Sequence, residues 1–150
     1  MNTQPDPRAY PDRPILAVSA AIIRDGRVLV ACRDRGPALG LWTMPGGVVE
    51  GGETLAEALV REIDEETQIK IEPIALAGHR EVIVRDPEGR AQRHFVILCF
   101  AARWISGEPV LNEELADARW VTPAELAELK TTEGLAAIVA AAFERMAALG

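Results

Sequence analysis

The chain has 150 residues, of which 49% are hydrophobic, and its 23 acidic and 16 basic side chains give a formal net charge of −7. This length and composition predict one globular domain that buries about two-thirds of the surface of its unfolded chain. The negative charge argues against a sequence-independent nucleic-acid binder, which would need a basic face to offset phosphates. We therefore expect no nucleic-acid polymer as a partner.

Residues 1–14 contain four prolines and no apolar run. They predict a flexible N-terminal arm that is neither a signal peptide nor a membrane anchor, followed by a single domain over residues 15–150. No apolar stretch approaches the roughly 20 residues that span a bilayer. Cys32 and Cys99 each lie in an apolar run and indicate small core residues of a reduced protein more than a disulfide. We expect a cytoplasmic protein without a membrane partner.

The first half of the domain predicts short strands followed by a helix. The β-rich runs 15–23 and 27–33 are joined by Asp25-Gly26, a strong hairpin signal. Thr54 and, three residues later, Glu57 form a capping box that predicts a helix ending near Thr67. Between hairpin and helix, the sequence predicts a loop over 36–40, an extended piece over 41–44, a bend over 45–47 and a brief strand over 48–49.

The second half predicts strands first and helices last. The predicted strands are 69–77, 79–85, 93–104 and 118–121, with a type I turn at 86–89, and the predicted helices are 123–129 and the Ala-rich 133–149. Mixed strands with helices on both faces predict the α/β class, with a mixed sheet in an α/β/α sandwich.

A cluster of acidic residues on the first predicted helix is the main indication of function in the sequence. With about 100° of rotation per residue, Glu62, Glu65 and Glu66 fall within an arc of roughly 100° that leans toward the body of the protein. Like charges three or four residues apart destabilise a helix, so we expect a cation among them. Mg²⁺, with Mn²⁺ as the alternative, prefers oxygen ligands and bridges carboxylates to phosphates. An acidic patch paired with lysines or arginines remains the open alternative.

The stretch from residue 47 to residue 69 resembles the Nudix box, the signature of hydrolases that cleave nucleoside diphosphates linked to another group. The residues that match the box are Gly47, Glu53, Arg61, Glu62, Ile63, Glu65, Glu66 and Ile69. One position departs, because Gln68 stands where the family has a glycine. That glycine ends the helix in a left-handed conformation, so Gln68 should strain or reshape the helix end.

The resemblance implies the same α/β/α architecture, with the box forming a loop-helix-loop motif, and it implies roles for single residues. Glu62, Glu65 and Glu66, together with Gly47, are the implied magnesium site, and Arg61 is implied to hold Glu53 through a charge-assisted hydrogen bond. The implied catalytic set is Glu65, Arg61, Glu53 and Glu114.

The general base is less determined by the sequence. Glu114 is the first choice and Glu113 the second, and each has the alternative of being a solvated loop charge. His79 and His94 are further candidates for a base or a substrate contact, although a histidine at a strand end is more often structural. Four arginines, Arg80, Arg85, Arg90 and Arg93, could meet phosphates or could simply keep a hairpin soluble.

The box looks most like the ADP-ribose pyrophosphatase branch, which implies a small-molecule nucleotide substrate such as ADP-ribose or a related nucleotide sugar. The alternatives within the family are oxidised nucleoside triphosphates and dinucleoside polyphosphates. Two other classes stay open. One is a non-catalytic nucleotide-binding module, supported by Gln68 alone, and the other is an assembly protein that pairs through its last helix. Dimers are common in the resembled family, so a homodimer is compatible with the sequence.

Overall fold

The computed structural model describes residues 6–33, 40–113 and 115–149. Its elements, in chain order, are β1 (Ile15–Arg24), β2 (Arg27–Cys32), β3 (Trp42–Thr43), β4 (Gly46–Val48), α1 (Leu55–Thr67), β5 (Lys70–Arg85), β6 (Ala91–Ser106), β7 (Asp117–Val121), α2 (Pro123–Leu126) and α3 (Leu135–Leu149). The predicted α/β class is confirmed. Of the predicted loop over 36–40, all but the last residue lies outside the described ranges.

The sheet is mixed, as predicted. Its strands follow the order β3-β2-β1-β6-β5, with β4 also paired to β1 and β7 to β2. The neighbours β1 and β6 are parallel, and the other pairs are antiparallel. Strand β1 therefore carries β6 on one side and β4 on the other over residues 17–19, which places the glycine-rich start of the box beside the centre of the sheet.

The hairpin between β1 and β2 forms at the predicted place. Arg24 pairs with Arg27, and the two residues between them, Asp25 and Gly26, have φ values of 50° and 75°. Positive φ at both central positions is the type I′ geometry, whose twist matches that of the flanking strands.

Strand β5 is longer than predicted. Residues 69–77 and 79–85 were expected to be two strands, but they form one strand that pairs with β6 along its whole length, so the predicted division is wrong. Shifts in register fall between Pro73 and Ala75 and between Leu76 and Gly78. Bulges at these points allow a strand to continue past a proline and a glycine.

Helices cover both faces of the sheet. Helix α1 buries Ala58, Leu59 and Ile63 against one face. Helix α3 buries a set of apolar residues against the other: Leu135, Ile138, Val139 and Ala142. The Ala-rich helix thus packs on the sheet of its own chain. No helix in the described ranges is both long enough and apolar enough to cross a bilayer.

Both ends of α1 follow from the sequence. Thr54 Oγ1 accepts a hydrogen bond from the Glu57 backbone N–H, and Glu57 Oε1 accepts one from the Thr54 N–H, each at 3.1 Å. This is the predicted capping box. At the other end Gln68 adopts φ 64° and ψ 23°, and its N–H donates to the Asp64 carbonyl. Gln68 therefore takes the left-handed conformation that a glycine would adopt, and the helix end is kept at the cost of backbone strain.

Candidate active site

Three of the four glutamates of the box line one cavity near the C-terminal end of α1. Glu62, Glu65 and Glu66 share its wall with Asn112 and Glu113. Their side chains differ in exposure: 19% for Glu62, 61% for Glu65 and 4% for Glu66. Glu65 therefore offers its carboxylate to solvent, while Glu66 is fixed within the protein.

Arg61 and Glu53 form a two-pronged ion pair. Arg61 Nε donates to Glu53 Oε2 at 2.7 Å, and Arg61 Nη2 donates to Glu53 Oε1 at 2.8 Å. The Glu50 N–H donates to the same carboxylate. These bonds, the one from Arg61 above all, lower the pKa of Glu53 to about 2, and the pairing with Glu53 raises the pKa of Arg61. Arg61 also donates to the Val48 carbonyl, so one side chain ties the loop, β4 and α1 together.

The same guanidinium reaches two further box acids. Arg61 Nη1 donates to Glu62 Oε1 at 2.9 Å and to Glu65 Oε2 at 3.2 Å. Arg61 therefore supplies part of the positive charge that this cluster of acidic residues requires. Within the described parts of the chain, no three His, Cys, Asp or Glu side chains are grouped tightly enough to coordinate a single ion.

Gly47 is placed directly against Glu62. A Cβ on Gly47 would lie 2.1 Å from Glu62 Oε2 and 2.2 Å from the carboxylate carbon. Real Cβ atoms essentially never approach other atoms this closely, so any side chain at Gly47 would displace the carboxylate. The glycine gives Glu62 its position.

Glu66 joins the acidic cavity to a second one. Its Oε1 accepts from Arg33 Nη2 at 2.9 Å, and its Oε2 accepts from the Gly46 N–H at 3.1 Å. Asn112 Nδ2 donates to the Glu66 backbone carbonyl. Arg33 and Asn112 were not among the predicted site residues. They meet Glu66 across 33 and 46 residues of sequence, so no local pattern could have revealed them.

The second cavity has a volume of about 440 Å³ and opens beside the same glycines. Gly46, Gly47 and Arg33 line one part of it, and Arg80 and Val82 of β5 line another. Its remaining walls come mainly from β1, β6 and the segments around β3 and α3: Ala17, Val18, Ser19, Leu41, Thr43, Met44, Val48, Arg93, Phe95, Ile97, Thr132 and Glu133. A largely apolar cavity therefore adjoins the acidic one, and Glu66 contacts residues of both.

Residues at the N-terminal side of the chain complete this cavity. Asp6 and Arg8, which belong to the predicted arm, are among its lining residues. Asp6 forms an ion pair with Arg93 at 2.8 Å, and the Tyr10 N–H donates to the Gln92 carbonyl at 2.8 Å. Residues 6–10 thus contact the hairpin of β5 and β6.

The other candidate residues divide clearly. Arg80 and Arg93 line the second cavity, whereas Arg85 and Arg90 do not. The two histidines, His79 and His94, line neither cavity. Glu113 lines the acidic cavity, and Glu114 lies outside the described residues, so its role stays a prediction.

Comparison with known proteins decides the family. A sequence model of the NUDIX domain matches residues 13–142. The chain belongs to the Nudix hydrolase family. Members of this family act on phosphoric anhydride bonds.

The most similar Nudix proteins carry different substrate names. An ADP-ribose pyrophosphatase of Methanocaldococcus jannaschii is 36% identical over 107 residues, which cover 71% of this chain and 61% of that protein. A putative 8-oxo-dGTP diphosphatase 2 of Mycobacterium tuberculosis is 38% identical over 112 residues, which cover 74% of this chain and 75% of that protein. The matched segment therefore spans less than two-thirds of the archaeal relative.

Solved Nudix structures agree with the fold. A MutT NUDIX hydrolase from Burkholderia pseudomallei superimposes with a TM-score of 0.73 at 30% identity, covering 86% of this chain and 98% of that one. The comparisons therefore agree on both the family and the fold. Because the relatives are named for different substrates, they leave the substrate class of this Nudix hydrolase open.

Proposed function

We propose that this Nudix hydrolase is a divalent-metal-dependent pyrophosphohydrolase that cleaves a nucleoside diphosphate linked to a second group, with ADP-ribose or a related nucleotide sugar as substrate. One observation carries the proposal. The box carboxylates face a cavity that meets a nucleotide-sized, largely apolar one at Glu66 and Gly46. A diphosphate bound at the carboxylates would extend its nucleoside into this second, largely apolar cavity.

The donor set suits Mg²⁺ or Mn²⁺. Glu62, Glu65 and Glu66 supply hard carboxylate oxygens on one wall, and Gly47 leaves room for the Glu62 carboxylate. These residues would hold the ion once Glu65 turns from Arg61, a movement for which its exposed side chain has room. When bound, such an ion neutralises the charge of the diphosphate and orients it.

The protein's own residues have distinct tasks in this proposal. Arg61 orients Glu62 and Glu53 through four hydrogen bonds to carboxylates and a carbonyl. Glu66 is held rigidly by Arg33 and Gly46, so its oxygens are already positioned before substrate binds.

The general base is assigned to the segment that follows β6. Glu113 lines the same cavity as the three box carboxylates, and Glu114 is its neighbour in sequence. The base accepts a proton from the attacking water, and Glu114 remains our first choice ahead of Glu113. Replacing each by glutamine separately identifies which one controls the pH dependence of kcat.

A second candidate activity has support of its own. The mycobacterial relative named for 8-oxo-dGTP is as similar to this chain as the archaeal one named for ADP-ribose. Hydrolysis of oxidised nucleoside triphosphates therefore enters the test as an alternative. A non-catalytic nucleotide-binding module loses its one support, because Gln68 reproduces the helix end that a glycine would form.

The test is a turnover screen with the native protein and a Glu65→Gln variant. ADP-ribose, nucleotide sugars, 8-oxo-dGTP and dinucleoside polyphosphates are offered with Mg²⁺ and with Mn²⁺, and the phosphate-containing products are quantified. We expect ADP-ribose to give the highest kcat/KM and the variant to lose at least a hundredfold while its melting temperature stays unchanged, because Glu65 is exposed. Binding without turnover of every compound would contradict the proposal.

A further inference from the structure

The second, largely apolar cavity contains a half-buried arginine for which the described structure shows no acidic partner. Three of its arginines can be compared. Arg33 is paired with Glu66, and Arg93 is paired with Asp6. Arg80 lines the same cavity, and its guanidinium forms neither an ion pair nor a hydrogen bond with any residue in the ranges 6–33, 40–113 and 115–149. A half-buried guanidinium without a partner loses hydration that nothing in the protein replaces.

Arg80 occupies a definite place relative to the Nudix box. It pairs with Ile97, Ile97 pairs with Ala17, and Ala17 pairs with Val48. These four residues form one row across β5, β6, β1 and β4, and all four line the cavity. Three inter-strand spacings separate the ends of the row, which is roughly 14 Å. Arg80 is therefore at the end of the cavity distant from the box carboxylates.

The surface between the two ends of the row is apolar. Ile97 and Ala17 form its middle, and Val82 and Phe95, which pair with each other on the next row, extend it. A ligand part that suits this surface has apolar faces and hydrogen-bond acceptors at its rim. A nucleobase has both, since its ring faces are flat and its edge carries acceptor atoms. A guanidinium is a donor-only group that can bond to such an edge or stack on the ring.

We propose that Arg80 binds the nucleobase of the substrate and thereby sets how tightly the nucleoside half is held. The inference rests on the proposed function, because the position of the diphosphate at the carboxylates defines which part of the substrate reaches β5. Arg80 contributes to affinity and not to the chemical step, since it is far from the scissile bond.

The two halves of ADP-ribose test this assignment without turnover. AMP and ribose 5-phosphate are titrated calorimetrically into the native protein and into Arg80→Met, which keeps an unbranched but shorter side chain and removes the guanidinium with its charge. We expect AMP to bind at least tenfold more weakly to the variant and ribose 5-phosphate to bind equally to both. Arg85→Met is the matched control, because Arg85 is an exposed arginine of the same strand outside the cavity.

Several results would overturn the assignment: unchanged AMP affinity in Arg80→Met, equal weakening of both ligands, or a native protein that binds no AMP. Arg80→Gln carries the same test if the methionine variant melts earlier than the native protein. With substrates that are turned over, the variant should raise KM and leave kcat unchanged, whereas a merely structural role would lower the melting temperature instead. If no compound is hydrolysed but AMP binding is weakened in Arg80→Met, the proposed function is contradicted and the role of Arg80 is not. The two outcomes can be separated because AMP binding is measured without turnover.

Discussion

Gly47 and Glu62 are in such close contact that the space of a Cβ on the glycine is already filled by the glutamate's carboxylate. The separation would be 2.1 Å to Glu62 Oε2. Gly47→Ala should therefore push Glu62 out of position and reduce kcat/KM by at least tenfold, which corresponds to about 1.4 kcal/mol in the barrier. The affinity for Mg²⁺, followed as the ion-induced rise in melting temperature, should fall in parallel.

Gly51→Ala is the control for this experiment. Gly51 lies in the loop between β4 and α1, four residues after Gly47, and a Cβ there would meet nothing within 4 Å. Its activity should match that of the native protein. Equal losses of kcat/KM in both variants would contradict this prediction. They would show that this part of the box tolerates no alanine and that the contact with Glu62 is not the cause.

The ion pair of Glu53 predicts a particular dependence of stability on pH. Its pKa is lowered to about 2, chiefly by the hydrogen bond from Arg61. A glutamate in the unfolded chain has a pKa of about 4.3, so the stabilisation from this pair is complete above that pH and disappears as pH falls toward 2. In urea unfolding, the stability difference between native protein and Glu53→Gln should be largest at neutral pH and shrink progressively below pH of about 4.

Glu144→Gln provides the reference for that series, because Glu144 is an exposed residue of α3. Its stability should follow that of the native protein over the same range. A difference between native protein and Glu53→Gln that stays constant from neutral pH to pH of about 2 would contradict the assignment of the lowered pKa to Glu53.

Replacing Gln68 with glycine should stabilise the protein. Gln68 has φ 64°, a conformation that costs a non-glycine residue about 1 kcal/mol and costs glycine little. Gln68→Gly should raise the melting temperature by about 2–4 °C for a chain of this size and leave kcat unchanged. Gln68→Ala retains the strain and should show no gain, so a similar rise with alanine would locate the effect elsewhere.

Thr67 uses its hydroxyl twice inside the core. Thr67 Oγ1 donates to the Ile63 carbonyl at 2.7 Å and accepts from the Ile69 N–H at 3.1 Å, and the residue is fully buried. Thr67→Val should lower the free energy of unfolding by about 1–3 kcal/mol, because the Ile69 N–H is left without its acceptor. Thr67→Ser keeps the hydroxyl and should lose less. Chemical denaturation of the three proteins makes the comparison.

The parts of this structure that the sequence predicted depend on neighbours along the chain. The capping box of Thr54 and Glu57 and the turn at Asp25 and Gly26 each involve residues no more than three positions apart. The box acids could be placed on one side of α1 from helical spacing alone. For these features, local geometry leaves few alternatives.

The parts that were missed depend on contacts between distant segments. The continuity of β5 past Gly78 is set by its pairing with β6 and by Ile138 of α3, whose side chain would lie 3.2 Å from a Cβ at this glycine. The bond from Arg33 to Glu66 and the ion pair of Asp6 with Arg93 also join segments far apart in sequence. Helical or strand periodicity contains no information about such pairs.

The two cavities meet at Glu66 but end at different strands, and this separation has a practical consequence for engineering. Substituting Glu66 or Gly46 would disturb both cavities. Glu66 lines the acidic cavity, Gly46 lines the second one, and a hydrogen bond joins the two residues. Val82 and Phe95, a pair on β5 and β6, also line the second cavity and lie outside the Nudix box. A library randomised at these two positions could therefore broaden or narrow the set of accepted nucleotides while the hydrolytic machinery stays intact.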